Sequence, residues 1–203
     1  MKILGIDTTT NEAVVYLKND DLVDIRKLDK KTKVSENLLF YIDDLLTSNK
    51  LSLTDVDVVA CCVGPGSFTG IRIGIATCKA FMVANTGLKC VIYNAFDPYL
   101  NVVKKGILYS SCTKSSFYKC NVEDSKIIKL DVIEKNKVEF NDGEFLIGED
   151  ETAPIKNKVD FDLFKHIEVV ENKIKLNDFV SENEITPNYV CDSQAERNLK
   201  NAK

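Results

Sequence analysis

Histidine is the scarcest reactive residue in this chain: there is one, His166. A zinc site built on several histidines is therefore excluded, as is the H-E-x-x-H type of hydrolase. A Ser-His-Asp triad would have to recruit His166, and no G-x-S-x-G elbow accompanies it. Between Phe164-Lys165 and Ile167, this histidine reads as a surface or strand-edge residue rather than a catalytic one. The seven cysteines, 61, 62, 78, 90, 112, 120 and 191, are odd in number and form no C-x-x-C pair. Several lie inside apolar runs, where a thiol packs as a small hydrophobe, so the expectation is a reduced, metal-free, cytosolic protein. No apolar run approaches the ~20 residues that span a bilayer. Met1-Lys2-Ile3-Leu4-Gly5-Ile6-Asp7 is interrupted too soon to read as a signal peptide. Basic charge is also short: the net charge of −4 argues against a broad nucleic-acid surface. Lys30, Lys31 and Lys33 form one local basic cluster, which reads as a solvated loop.

What is present suits a globular protein of one large domain or two small lobes. The chain has 203 residues, with 44% hydrophobic and 29% charged content. Residues 2–7, 12–18 and 22–28 read as three short strands, with turn signals at Thr8 to Asn11 and Asn19-Asp20-Asp21. Such spacing makes an antiparallel meander. A helix is expected to open at Ser35-Glu36-Asn37 and run to about Asn49, on a stripe of Leu38, Leu39, Ile42, Leu45 and Leu46. A strand at 57–63, a helix at 69–85 and a strand at 89–93 follow, which implies a mixed sheet with parallel members. After Asn94 the texture changes, and 95–105, with Pro98 and a lysine pair, reads as a lobe boundary. Three more strand-like runs, 106–112, 116–122 and 126–133, form a second meander. Apolar runs at 144–148, 166–170 and 188–191 follow in a Lys-, Asn- and Glu-rich remainder. The restart with three strands suggests a duplicated fold whose second copy is eroded.

The most informative stretch is Gly64-Pro65-Gly66-Ser67-Phe68-Thr69-Gly70-Ile71-Arg72-Ile73-Gly74, between an apolar strand and an Ala-containing helix. Its glycine spacing is one residue longer than the dinucleotide fingerprint, and no acidic residue follows at the expected distance. Nor is it a P-loop, because no Gly-Lys-Ser/Thr follows. Two readings stand. A phosphate could sit on the helix N-terminus, held by free N–H groups and the dipole. Alternatively the turn needs a positive φ or close backbone approach, which the spacing alone favours. Gly70 and Gly74, one helical turn apart, strip one helix face of side chains at about 1 kcal/mol each. Close packing of another helix, from 35–49 or from another subunit, is the expected compensation. Phe40 and Tyr41 fall outside the Leu/Ile stripe and read either as ordinary partial exposure or as aromatic anchors of an interface. Asp7-Thr8-Thr9-Thr10 reads as a simple turn, or as a strand-end hairpin whose Asp and hydroxyls face phosphate or metal.

Taken together these residues resemble the TsaB family. The resemblance is carried by Ile3-Leu4-Gly5-Ile6-Asp7-Thr8-Thr9, Ser35-Glu36-Asn37-Leu38-Leu39, Ile42-Asp43-Asp44-Leu45-Leu46 and the block from Gly64 to Gly74 with Ala76-Thr77. Pro187-x-Tyr189 and Ala195-Glu196 complete it. Residues 1–93 match well and 94–203 loosely. The resemblance implies an α/β, actin-like ATPase (RNase H-like) fold in two lobes, mixed sheets flanked by helices, the second lobe incomplete. It divides the chain into an N-terminal lobe, 1–94, and a smaller divergent lobe, 95–203. It also implies a non-catalytic scaffold for a paralogue, TsaD, and an ATPase, TsaE, in making threonylcarbamoyladenosine on tRNA, with tRNA reached indirectly through the complex. No catalytic residue and no metal site are expected. The paralogue's His-x-x-x-His would fall near Asn94 to Pro98, where this chain has no histidine.

In the family the two first-lobe helices pack against those of a partner, either a second copy or the paralogue. The interface residues implied here are Phe40, Tyr41, Gly70, Gly74, Thr77 and Phe81. The isolated chain is expected to hold no cofactor, with ATP or ADP a candidate at the composite interface with TsaD. Asp7, Thr8 and Gly66 are the phosphate candidates, and the rival reading is an active small-molecule phosphotransferase or ATPase of the same fold. The chain departs from the family pattern at Val34, at Ser111-Cys112-Thr113 and at Cys191, so no site is carried over to the second lobe.

Overall fold

The computed structural model describes residues 1–10, 12–28, 33–138, 141–148, 150 and 157–191. The chain divides into two units. One comprises Met1–Ala95 with Ile167–Asn188, the other Phe96–His166 with Tyr189–Lys203. The break at residue 95 falls where the composition changes. The second unit is nonetheless not the contiguous stretch 95–203, because residues 167–188 return to the first.

In the first unit β1 (Lys2–Asp7), β2 (Val14–Asn19) and β3 (Leu22–Lys27) form the expected meander. β4 (Val58–Cys62) and β5 (Lys89–Tyr93) add in parallel on the other side of β1, in the order β3-β2-β1-β4-β5. Strand alternation gives the sheet two faces. Leu4, Ile6, Val15, Leu17, Val59, Cys61 and Cys90 point to the face covered by α1 (Val34–Ser48) and α2 (Phe68–Ala84), in one core with Leu38, Ile42, Leu45 and Leu46. The other face carries Asp7, Tyr16, Cys62 and Tyr93. There α3 (Leu163–Lys175) lies against the sheet from Ile167 onward: Val170 is buried and Glu171 pairs with Lys18 of β2 at 3.0 Å.

α1 begins one residue before the expected Ser35. Its N-cap, Lys33, makes no side-chain capping bond. It ends in a Schellman arrangement, with Lys50 N–H donating to Thr47 O and Leu51 N–H to Leu46 O. Lys50 adopts the required left-handed φ of 57° without glycine. Leu39 does not belong to the buried stripe, being 62% exposed. A residue one step from Leu38 is rotated about 100° round the helix, off the core face.

The second unit repeats the strand order. β6 (Gly106–Thr113), β7 (Ser116–Glu123) and β8 (Lys126–Glu134) form a meander, closed between β7 and β8 by Asp124 and Ser125 at φ 49° and 57°. β9 (Glu144–Ile147) and β10 (Lys158–Val159) add in parallel, giving β10-β9-β6-β7-β8. Read outward from β8, this is the order of the first sheet. Between β8 and β9 the described residues hold only a short 3-10 turn, Lys135–Lys137, where the first unit has α1. The apolar run at 166–170 is helical, and 188–191 forms no regular element. His166 is 2% exposed on α3, its ring 4.7 Å from that of Phe161 and 6.1 Å from that of Tyr99. The surface or strand-edge expectation is corrected: two neighbouring rings and the start of a helix enclose it.

Candidate functional site

Asp7 ends β1 beside β4, and the chain turns at once through Thr8 and Thr9. Asp7, Thr8 and Thr9 are all buried. The Asp7 carboxylate accepts from the Thr9 N–H at 2.9 Å and the Thr9 hydroxyl at 2.6 Å, an Asx-type turn. The glycine block closes onto this turn. Ser67 caps α2 by accepting from Gly70 N–H at 3.2 Å, and its own N–H donates to Thr9 O at 2.6 Å. The Thr8 hydroxyl donates to Gly70 O at 2.7 Å. A methyl group at Gly66 would stand 2.2 Å from Thr9 O, and one at Gly70 would stand 1.9 Å from Thr8 O. Gly64 adopts φ +108°. The glycines thus serve both needs of the structural reading, a positive φ and close backbone approach.

This geometry corrects one expectation. Gly70 and Gly74 do not open a helix-packing face: both are buried, and the added methyl at Gly74 would meet the Thr8 side-chain oxygen at 2.5 Å. The end of β1, not another helix, fills the stripped face of α2. Asp7, Thr8 and Gly66, the phosphate candidates, do come together. The bonds described for Thr8 and the neighbouring turn run within the chain, seating α2 on the end of β1.

Around Asp7 lies a buried polar cluster that motif reading passed over. Burial, then the nearby Asp7 carboxylate, pushes the hydroxyls of Tyr16 and Tyr93 and the thiol of Cys62 up. These groups stay protonated near neutral pH and offer no base. Strand alternation carries the only signal for them, since the pairing of Asp7 with Val14 puts Tyr16 on the Asp7 face. Among the described residues no three His, Cys, Asp or Glu side chains converge as metal ligands. No described helix is long and apolar enough to cross a membrane. A cleft of about 510 Å³ opens at the other end of the sheet, between Met1, Asp57, Asn85, Lys89 and Phe179, away from Asp7.

The outward sides of the two helices carry exposed apolar residues among polar ones. On α1 Leu39 and Phe40 are 62% and 67% exposed, and the Phe40 and Tyr41 rings meet edge-on at 5.7 Å. On α2 Ala76, Ala80 and Val83 face solvent at helical spacing, Val83 at 68%. Tyr41 and Phe81 are half-buried against the core, and Thr77 is half-buried. Of the expected interface residues, then, Phe40 is fully presented, Tyr41, Thr77 and Phe81 partly, and Gly70 and Gly74 not at all. Leu39 was read into the core stripe, and Ala76, Ala80 and Val83 were not read as interface residues, although their one-turn spacing on α2 was visible in the sequence.

The departures from the family pattern are each accommodated within their own unit. Val34 packs on the first core. The Ser111 hydroxyl donates to Asp150 at 2.7 Å, and the Thr113 and Ser116 hydroxyls share a bond at 2.6 Å. Cys112 meets Cys191, with the two Sγ atoms 3.8 Å apart. Lys30, Lys31 and Ala195-Glu196 lie outside the described residues.

Two mixed sheets of identical strand order, flanked by helices, define an α/β protein. The family model of TsaD, tRNA N6-adenosine threonylcarbamoyltransferase, matches residues 30–91, the segment holding α1, β4 and α2. The TsaB protein of Escherichia coli is 43% identical over 75 residues, 37% of this chain and 32% of that protein. The TsaB protein of Haemophilus influenzae is 36% identical over 75 residues. The matched segment thus spans about a third of these relatives' length. The uncharacterized protein MG208 of Mycoplasma genitalium is 26% identical over 134 residues, 63% of this chain and 64% of that protein. In fold, the chain is similar to YeaZ of Pseudomonas aeruginosa, with a TM-score of 0.71 at 17% identity over 93% of this chain and 99% of that one. A Pseudomonas aeruginosa protein described as similar to peptidase YeaZ gives a TM-score of 0.73 at 18% identity, over 94% and 99%. Over about a third of its length the chain is thus similar in sequence to TsaB proteins, and over nearly all of it the fold is that of YeaZ.

Proposed function

We propose that this chain is a non-catalytic subunit in the biosynthesis of threonylcarbamoyladenosine on tRNA, and that it works by docking a TsaD-type paralogue on the outer faces of α1 and α2. The observation that carries the reading is the exposure of Leu39, Phe40 and Val83 on these two helices. Large apolar side chains presented together on ordered helices are what an interface core is made of. The curated relatives named for this biosynthesis support the process. In the isolated protein the same face pairs two copies. In the complex, TsaE and tRNA are reached through the paralogue, ATP or ADP belongs at the composite interface, and the setting is the cytoplasm. The reading of a chain without chemistry of its own is supported by the turn at Asp7, where the described bonds join Asp7, Thr8, Thr9, Ser67 and Gly70 to one another and burial holds Tyr16, Tyr93 and Cys62 protonated.

The test is co-purification with the TsaD paralogue from the same source, with masses read by light scattering. The wild-type chain is expected to give a one-to-one heterodimer that replaces a homodimer. Phe40→Asp with Val83→Glu should weaken the complex by at least about 30-fold, the affinity of a single hot-spot contact of about 2 kcal/mol. The same variant should lose tRNA modification while its far-UV circular dichroism remains that of the folded wild-type chain. A variant that keeps the complex overturns the assignment of this face, and a wild-type chain that ignores the paralogue overturns the function.

A further inference from the structure

Among the seven cysteines, Cys61, Cys62, Cys78, Cys90 and Cys120 are buried, while Cys112 and Cys191 are half-buried. The two half-buried thiols are 79 positions apart in sequence and in contact in space, Sγ to Sγ 3.8 Å. The Tyr118 hydroxyl stands 3.6 Å from Cys191 Sγ. A disulfide needs its sulfurs at about 2.05 Å, so the pair must close by a little under 2 Å. Both backbones leave room for that. Cys112 is the extra residue of a β-bulge: Ser111 pairs with Phe117 and Thr113 with Ser116, so no partner on β7 fixes residue 112. Cys191 lies in a bend outside any strand or helix, packed with Val190 on the second unit's core. Two of the positions at which the sequence leaves the family pattern therefore meet as a pair of thiols.

We propose that Cys112 and Cys191 form a reversible dithiol–disulfide site whose co-reactant is a low-molecular-weight disulfide of the glutathione type. This inference is independent of the function proposed above. Cys191, in a bend outside any strand or helix, is the first nucleophile, and burial pushes the Cys112 thiol up. Its thiolate attacks one sulfur of the small disulfide, an S–S bond breaks, and one small thiolate leaves and takes up a proton. Cys112, on losing its proton, then attacks Cys191 Sγ in the mixed disulfide and expels the second small thiol. Two cysteine sulfurs are oxidised by two electrons in all, and one small disulfide is reduced to two thiols. The bond pins residues 189–191 to β6 and closes a long loop, which restricts the unfolded chain.

The experiment incubates the full-length chain with oxidised glutathione, blocks remaining thiols with iodoacetamide after unfolding, and maps the peptides by mass spectrometry. The expected result is loss of two alkylatable thiols, a linked peptide containing Cys112 and Cys191, and recovery of both thiols on adding excess reduced glutathione. Oxidation should also raise the melting temperature by several degrees. Cys112→Ser and Cys191→Ser should each abolish the linked peptide. The wild-type map decides the matter even if a variant fails to fold. Seven alkylatable thiols after treatment, glutathione retained on either cysteine, or a bridge between two chains would each overturn the proposal.

Discussion

Replacing Gly70 by alanine separates two physical accounts of the same helix by the sign of the stability change. On an open helix face the substitution would stabilise by about 1 kcal/mol, the difference in helix propensity. Here the new methyl would stand 1.9 Å from Thr8 O. To reach an ordinary contact, the start of α2 must retreat by roughly 1.5 Å. That retreat strains the bond from the Thr8 hydroxyl to Gly70 O and the bond from Ser67 N–H to Thr9 O. Overpacking costs about 2 kcal/mol, and the two buried bonds contribute about 1 kcal/mol each. After the helix-propensity gain, Gly70→Ala should destabilise the chain by about 3 kcal/mol. Urea unfolding followed by far-UV circular dichroism measures this, and thermal unfolding should show a fall of about 6–12 °C. Gly87→Ala is the control, because its methyl would meet only Asn85 Oδ1 at 3.5 Å on an exposed turn. It should stay within about 0.5 kcal/mol of wild type. A Gly70→Ala chain as stable as the wild type, or more so, would refute the account of α2 seated on the end of β1.

In the second unit, Lys135 and Asp150 are paired at 2.5 Å with little exposure, and Lys135 also lies over the Phe117 ring. Asp150→Ala should destabilise by about 3 kcal/mol by leaving the lysine uncompensated, whereas Lys135→Met with Asp150→Leu should be close to neutral; chemical unfolding of both variants checks this. Burial raises the Asp24 carboxyl, but bonds from Asn49, Arg26 and the Ile25 N–H outweigh it and hold the group below the usual carboxylate range. A depressed carboxylate stabilises above its unfolded pKa of about 3.9 and loses that contribution as pH falls through its folded value. Arg26→Gln should therefore raise the Asp24 pKa, read by NMR titration, and reduce the loss of stability in acid. Iodoacetamide at pH 8 should label Cys112 and Cys191 well before the others. Burial pushes Cys90 and Cys120 up to about 12 and shields both, so early labelling of either would contradict the structure.

The amino-acid sequence by itself determined the local elements and their order. Both meanders, the two first-unit helices and the parallel additions follow from hydrophobic period and turn residues, which act over a few residues. So did the resemblance, because the Gly64–Gly74 block and the Asp7-Thr8-Thr9 turn are short contiguous motifs. The side of each element that meets something else was decided only in three dimensions. Gly70 and Gly74 announced a bare helix face, but a helical period does not say whether a helix, a ligand or a strand end fills it. Thr8 fills it from 62 residues away. His166 looked exposed because charge and apolar residues alternate around it, whereas its burial depends on Tyr99 and Phe161. The return of residues 167–188 to the first unit, and the meeting of Cys112 with Cys191, are long-range pairings. They arise from the burial of whole faces, and no window along the chain contains both partners.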